Sequence, residues 1–252
     1  MARIALKVDV DTLRGTLEGV PRLQKLFDQY QICATFLFSL GHDHTGWALR
    51  NIFKPGFFQK VSRTSVIEHY GLKTLSYGVL LPAPDIGKKA RAEMLAVAKS
   101  GHEVGIHTWD HRVWQDNVRQ ASPEWTREQM QQSWDRFIDI FQTKPKTHGA
   151  AGWQMNSTAL AQLDAWQIEY ASDGRAPANL VPYRVQLANP TNGLFTTCKH
   201  IQYPTTLATL DELIGVDDMS GEDVVAYLSQ QTAQNPNDQV FTCLLYTSPS
   251  PR

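Results

Sequence analysis

The chain has 252 residues, of which 42% are hydrophobic and 19% charged, and its formal net charge at pH 7 is −1. This length and composition fit one large globular α/β domain, and the balanced charge gives no reason to expect a nucleic-acid partner. The three cysteines, Cys33, Cys198 and Cys243, lie far apart, so neither a disulfide framework nor a thiolate metal site is expected.

The first part of the chain alternates strand and helix patterns. Residues 4–10 form an apolar run typical of a buried strand, and residues 20–30 carry apolar side chains at helical spacing behind Pro21. A second apolar run at residues 33–41 predicts another strand. A strand–helix–strand start with continuous apolar strands predicts a parallel sheet that is covered on both faces.

Residues 47–91 interrupt this alternation with interleaved basic and aromatic residues. The segment has eight lysines and arginines but only Glu68 and Asp85 as acids, a local excess of six positive charges. One interpretation is a long connection whose aromatic side chains fill the core. The other is a basic aromatic insert that lies against an anionic lipid surface or holds a phosphorylated amphiphile.

The alternation then continues to the end of the chain, without an internal repeat or an interior domain boundary. A helix is predicted at residues 88–100 with Gly101 as its stop, and another begins with Ser122 as N-cap and Pro123 in the first turn. Polar residues gather at the carboxyl ends of the strands, where α/β active sites lie. Further helices are predicted at residues 160–166, 207–214 and 220–228, and further strands at 147–153, 168–175 and 238–242.

His107 and His111 have the spacing that lets two imidazoles bind one divalent metal. Thr108 stands where helical zinc proteases carry a glutamate, and the preceding residues favour a short strand. The third ligand and the base must therefore come from elsewhere, and Asp9 and Asp11 at the end of the first strand are the obvious source. Two histidines at this spacing often occur by chance, and two aspartates at a strand end more often form a cap or a turn. Finding both pairs at strand ends in one chain favours a metal site.

Five segments stand in an order that resembles polysaccharide deacetylases of the NodB-homology type. The likeness extends over residues 3–242, and it implies an α/β fold, a distorted (β/α) barrel, in one domain of residues 1–242. More narrowly, residues 9–22 and 107–111 resemble the branch of that family that deformylates a sugar on a lipid carrier. The five segments are residues 8–12, 34–41, 102–111, 150–153 and 170–173.

The resemblance implies roles for several residues in or next to these segments. It implies that Asp11, His107 and His111 hold one divalent metal, which is zinc, cobalt, manganese or iron, and that Asp9 is the general base. It also implies that Asp173 and Arg175 orient the base or the group that protonates the amine. Three residues are expected to bind the substrate: Trp109, Gly152 and Trp153.

The chain departs from the family pattern at two positions. Gln154 stands where the family usually has an arginine that positions the base, so we expect Arg175 to hold the base instead or the base to be held less firmly. Leu244 stands where the family has a general-acid histidine. We expect residues 243–252 to be a non-native tail, the barrel to lack its last strand–helix elements, and turnover to be slow.

The resemblance implies hydrolysis of the formamide of undecaprenyl-phosphate-linked 4-deoxy-4-formamido-L-arabinose, for lipid A modification and resistance to polymyxin. The sequence contains neither a signal peptide nor a run of about 20 apolar residues, which favours a peripheral enzyme on the cytoplasmic face of the bacterial inner membrane. The alternatives are an N-deacetylase of another amino sugar or polysaccharide, and a catalytically impaired protein that binds metal or sugar. The oligomeric state is not predicted.

Overall fold

The structure is a computed structural model that describes residues 3–47, 73–176, 182–188, 193–213, 216 and 219–245. Its main feature is a parallel sheet of seven strands in the order β8-β5-β4-β3-β2-β1-β9. A separate antiparallel pair is formed by β6 and β7. The strands are β1 (Ile4–Val10), β2 (Thr35–Ser39), β3 (Glu103–Thr108), β4 (Thr147–His148), β5 (Tyr170–Ala171), β6 (Gln186–Ala188), β7 (Phe195–Thr197), β8 (Ile201–Gln202) and β9 (Gln239–Leu245).

Helices connect the strands of the large sheet and cover its outer face. Buried side chains of the helices, such as Val20, Met94 and Phe137, join Val8 and Phe36 of the strands in one core cluster. This arrangement confirms the predicted parallel α/β sheet. The helices are α1 (Val20–Tyr30), α2 (Ile86–Lys89), α3 (Arg91–Lys99), α4 (His111–Asn117), α5 (Pro123–Phe141), α6 (Ser157–Ala165), α7 (Leu210–Leu213) and α8 (Gly221–Gln234).

The two faces of β1 differ in chemistry because side chains alternate along a strand. Val8 and Val10 are fully buried in the core beneath the helices. Lys7 and Asp9 point to the other face and are also buried, at 4% and 2% exposure. The Lys7 ammonium donates a hydrogen bond to the carbonyl of Ser172, at the end of β5, although β2, β3 and β4 lie between the two strands. The sheet is therefore curled around a polar interior, which confirms the distorted (β/α) barrel.

Most predicted elements are present, but the helix predicted at residues 88–100 is divided. Ala90 has a non-helical backbone (φ −119°, ψ 25°) and separates α2 from α3. The Asp85 side chain caps α2 by accepting a hydrogen bond from the Lys88 N–H, so the first turn begins before the predicted start. The stop at Gly101 is confirmed by its positive φ of 83°, and Ser122 caps α5 as predicted.

Two segments of the sequence prediction fall partly outside the described residues. Most of the basic aromatic insert, residues 48–72, is not among them, and neither are residues 246–252 of the expected tail. The described end of the chain, Cys243 to Leu245, continues β9 and pairs with Val8 to Val10 of β1. In this sheet β9 and β8 are the two edge strands.

Candidate active site

The structure brings Asp11, His107 and His111 together at the carboxyl edge of the sheet. Asp11 follows β1, His107 lies near the end of β3, and His111 begins α4 behind the N-cap Asp110. The His107 Nε2 atom lies 3.1 Å from Asp11 Oδ1, and the His111 Nε2 atom lies 3.6 Å from Asp11 Oδ2. The three side chains are one of the groups that could hold a metal ion.

Hydrogen bonding fixes which nitrogen of His107 faces Asp11. Its Nδ1 lies 2.5 Å from the carbonyl oxygen of Gly149, which can only accept, so Nδ1 carries the proton. The Nε2 atom points toward Asp11, and neither Nε2 nor Asp11 Oδ1 has a hydrogen-bond partner among the described residues, although both are buried. Buried polar atoms without partners are costly, and a cation bound to a histidine oriented by a carbonyl would satisfy them. The residues present therefore fit a divalent metal.

The separations between these atoms also suit a metal centre. Two ligands about 2.1 Å from a tetrahedral ion lie about 3.4 Å apart. The distances from His107 and His111 to Asp11, 3.1 and 3.6 Å, bracket that value. The His111 side chain is 23% exposed, whereas Asp11 is 5% exposed, so the centre is accessible from the side of α4.

The charges around the centre favour a cation. Burial raises the pKa of Asp11, but His111, His107 and Lys7 together outweigh burial and hold the pKa below its ordinary value. Burial lowers the pKa of His107, yet the carboxylates of Asp9 and Asp11 raise it overall. Burial is also the largest effect on His111, and it keeps the pKa of that imidazole below its usual value. The neutral form of His111 that a metal requires is therefore favoured.

A second group that could hold a metal ion consists of Asp164, Cys198 and His200. Here His200 Nδ1 lies only 2.6 Å from Asp164 Oδ1, which is a hydrogen-bond distance and too short for two ligands of one tetrahedral ion. Both oxygens of Asp164 also accept from the backbone N–H of Lys199. This group therefore holds the loop before β8, and the Asp11 group is the better candidate for a metal centre.

Asp9 lies beside this centre and is held by a residue that the sequence analysis did not single out. Its Oδ2 atom lies 3.1 Å from the Lys7 ammonium, and both side chains are almost fully buried. Its Oδ1 atom has no hydrogen-bond partner among the described residues. A lysine two residues before Asp9, in a strand whose other residues are apolar, was the feature of the sequence that could have revealed this pair.

Asp173 is the acceptor of a buried hydrogen-bond network beneath the site. Its Oδ1 atom accepts from His148 Nδ1 at 2.6 Å and from the Ala150 N–H at 2.9 Å, and its Oδ2 atom accepts from Gln202 Nε2 at 2.8 Å. Burial raises the pKa of Asp173, but His148 and Gln202 outweigh burial and lower the pKa overall. The network fixes the backbone at Ala150, close to the carbonyl that orients His107.

The substitution Asp173→Asn is expected to destabilise the fold at neutral pH by about 3 kcal/mol, because it removes a buried charge from its donors. The folded pKa of Asp173 lies below 3.8. Its contribution to stability is therefore complete above that pH and is lost as the pH falls through the folded pKa. Urea unfolding from pH 7 to pH 3 should show the difference between the two proteins shrinking at the acid end. Asp139→Asn, at an exposed ion pair, should change stability by less than about 1 kcal/mol throughout.

The predicted substrate-binding residues lie in two places. Gly152 has a φ of 60°, and a Cβ atom there would come within 2.7 Å of the Gln115 side chain, so only glycine fits without a shift. Trp153 follows with a φ of 53°, and its indole N–H donates to Thr205 Oγ1. Trp109 lies on the other side, after β3, where its ring contacts His42 and packs against the core.

Arg175 and Gln154, which were expected to bear on the base, make other contacts. The Arg175 guanidinium pairs with Glu212 at 2.5 Å and lies over the Trp153 ring. The backbone carbonyl of Gln154 accepts a hydrogen bond from the indole N–H of Trp114. Leu244 lies on β9 directly opposite Asp9 in the parallel register. The Lys7 ammonium therefore lies beside Asp9, and the aliphatic side chain of Leu244 occupies the paired position on the neighbouring strand.

A parallel α/β barrel with an acid and two histidines at its carboxyl edge is the architecture of a metal-site hydrolase. The chain belongs to the polysaccharide deacetylase family, whose model matches residues 3–171. It is accordingly a hydrolase that acts on amide C–N bonds.

Similar proteins support the assignment of the chain to this family. The chain is 31% identical over 219 residues to a protein of Shewanella sediminis named as the 4-deoxy-4-formamido-L-arabinose-phosphoundecaprenol deformylase ArnD, covering 87% of this chain and 68% of that one. It is 30% identical over 203 residues to the protein of the same name from Wigglesworthia glossinidia brevipalpis, covering 80% and 68%. Among solved structures, a polysaccharide deacetylase from Mycobacterium smegmatis has a TM-score of 0.62 at 16% identity, covering 99% of this chain and 79% of that one. Another from Pseudomonas aeruginosa has a TM-score of 0.59 at 13% identity, covering 96% and 77%.

Proposed function

We propose that the chain is a metal-dependent deformylase of undecaprenyl-phosphate-linked 4-deoxy-4-formamido-L-arabinose, which releases formate and the 4-amino sugar. The observation that carries the proposal is the group of Asp11, His107 and His111, beside the Asp9 carboxylate, one oxygen of which has no hydrogen-bond partner among the described residues. The names of the two curated relatives support the choice of a formamide over an acetamide. In this role the product amine would serve the modification of lipid A and resistance to polymyxin.

Asp11, His107 and His111 would hold the metal, with His107 oriented by the Gly149 carbonyl. A divalent metal bound there supplies a Lewis acid that polarises the formyl oxygen and lowers the pKa of water toward about 7. The chemistry of the ligands, one carboxylate and two imidazoles, is compatible with zinc, cobalt, manganese or iron.

The residues of the chain would act on water and substrate in a definite order. Asp9 accepts the proton of the attacking water on Oδ1, while Lys7 holds Oδ2. The water oxygen adds to the formyl carbon, and the Gly152 N–H would donate to the oxygen that becomes negative. The C–N bond then breaks, the nitrogen takes up the proton that Asp9 accepted from the water, and formate leaves. Trp109 and Trp153 would border the sugar from the two sides of the site.

The lipid carrier places the proposed reaction at the membrane surface. Among the residues that the structure describes, no helix is both long and apolar enough to cross a bilayer. The proposed contact is peripheral, through the basic aromatic insert of residues 47–91, on the cytoplasmic face of the inner membrane. The structure describes residues 47 and 73–91 of this insert, and in that part Val79 and Leu80 are 50% and 83% exposed.

The decisive experiment is a mass-spectrometric assay of the carrier-linked formamido sugar with the purified chain. We expect loss of the formyl group with release of formate, abolished by dialysis against a chelator and restored by Zn²⁺, Co²⁺ or Mn²⁺. The matched control is the same carrier with an acetamido group, which should react more slowly. Faster release of acetate than of formate would instead favour an N-deacetylase, and activity that survives the chelator would contradict the metal-dependent mechanism.

A further inference from the structure

We propose that Lys7 is the positioning residue of the reaction: it fixes one oxygen of Asp9 and thereby presents the other to the reacting water. The inference rests on the proposed function, in which Asp9 is the base. Lys7 and Asp9 are two residues apart on β1, so their side chains share the inner face of the curled sheet. The pair thus belongs to a single rigid strand.

The two oxygens of Asp9 have different surroundings. Oδ2 lies 3.1 Å from the Lys7 ammonium, and the two side chains are only 5% and 3% exposed. Oδ1 is buried and lacks a hydrogen-bond partner among the described residues. Because the ammonium occupies one oxygen, the carboxylate cannot rotate freely, and the oxygen left over is the one that can take a proton.

Lys7 is itself held at a second point, which makes it more than a counter-ion. Its Nζ atom donates to the Ser172 carbonyl at 3.1 Å, beyond β5 on the opposite side of the barrel interior. The ammonium also lies 5.9 Å from the centre of the Trp153 ring. A Cβ atom at Gly149 would come within 3.5 Å of Nζ, and the Gly149 carbonyl is the group that orients His107. The same small region therefore positions the base and a candidate ligand.

The two residues considered from the sequence for holding Asp9 do not suit that role, because one pairs with another residue and the other has no charge. Arg175 forms an ion pair with Glu212, and Gln154 carries a neutral amide. Among the ion pairs of the described residues, the partner of Asp9 is Lys7. A buried Lys–Asp pair could also serve the fold alone, so the test must separate positioning from stability.

The experiment is a double-mutant cycle on kcat for deformylation, with Lys7→Met, Asp9→Asn and the combination of both. We expect Lys7→Met to lower kcat by about 10- to 100-fold, as changes behind a reacting group usually do, with KM unchanged. In the Asp9→Asn background the same change should have no further effect on kcat, because Lys7 acts through Asp9. Lys7→Arg should restore most of the rate, and Lys146→Met, at an exposed ion pair with Glu169, should leave it unchanged.

Two further measurements keep the result decisive. Calorimetric titration with Co²⁺ alone should give the same affinity for the wild type and Lys7→Met, whereas a general collapse of the site would weaken it. If Lys7→Met does not fold, two other variants take its place in the comparison of rates. They are the double variant, which leaves no unpaired buried charge, and Lys7→Arg. In that case, a double variant slower than Asp9→Asn by about 10-fold or more would overturn the proposal, because Lys7 would then act independently of Asp9.

The proposal also fails if Lys7→Met retains wild-type kcat, or if its loss of rate is equally large in the Asp9→Asn background. Failure of the proposed function looks different, because the wild type itself would then release no formate. In that case the variants are compared on the acetamido substrate, where the same pattern of rates is expected. A wild type inactive on both substrates would overturn both proposals.

Discussion

Asp11→Asn is expected to abolish the proposed deformylation, with a loss of about 10³-fold or more, because the metal that Asp11 would hold would lower the barrier by several kcal/mol. Asparagine has nearly the same shape, but it lacks the charge that draws a divalent cation to His107 and His111. The affinity for Co²⁺ should fall by more than about 100-fold, since even residues behind the ligands account for 10- to 100-fold. Calorimetric titration and the formate assay would measure the two effects on the same preparation.

Asp164→Asn is the matched control for this prediction. Asp164 also accompanies a histidine in a group that could hold a metal ion, but its 2.6 Å contact with His200 is a hydrogen bond. We expect this variant to lose some stability and to keep both Co²⁺ affinity and kcat. If Asp164→Asn lost the metal while Asp11→Asn retained it, the metal centre would have been placed in the wrong group.

The three candidate ligands could be predicted from the sequence because of a simple property of parallel sheets. All strands of such a sheet end at one edge, so polar residues that follow β1 and β3 must lie close together. The spacing of His107 and His111 and the polar pair Asp9 and Asp11 were sufficient for that step. The structure places the atoms at ligand separation, as the strand-end argument requires.

The residue that holds Asp9 could not be predicted in the same way. The contact from Lys7 to the Ser172 carbonyl depends on how strongly the sheet curls, which is decided by packing of many distant side chains. The family resemblance pointed to Arg175 instead, which is near Asp173 in the chain but pairs with Glu212. Local patterns identify elements and their ends, whereas contacts across the barrel interior follow only from the assembled fold.

Leu244→His is expected to raise kcat by about 10² to 10⁴, the usual contribution of a general acid. Leu244 pairs with Asp9 in the register of β9 and β1. Side chains at paired positions of neighbouring parallel strands point to the same face, about 4.8 Å apart. A histidine at this position would therefore stand beside the proposed base, with an ordinary pKa of about 6.5 that suits proton donation to the departing nitrogen.

The control variants for this gain follow from the same register. Cys243→His places the imidazole one residue earlier, opposite Val8, on the face that packs into the core. It should give no gain in kcat and should lower stability. Leu244→Asn puts a polar side chain that does not titrate on the correct face, and it should leave kcat near that of the wild type. Equal gains from Leu244→His and Leu244→Asn would mean that polarity is responsible and that proton donation is not. A gain specific to Leu244→His, rising with the fraction of protonated imidazole, would show that the site has an intact base and metal centre and is limited by the missing acid.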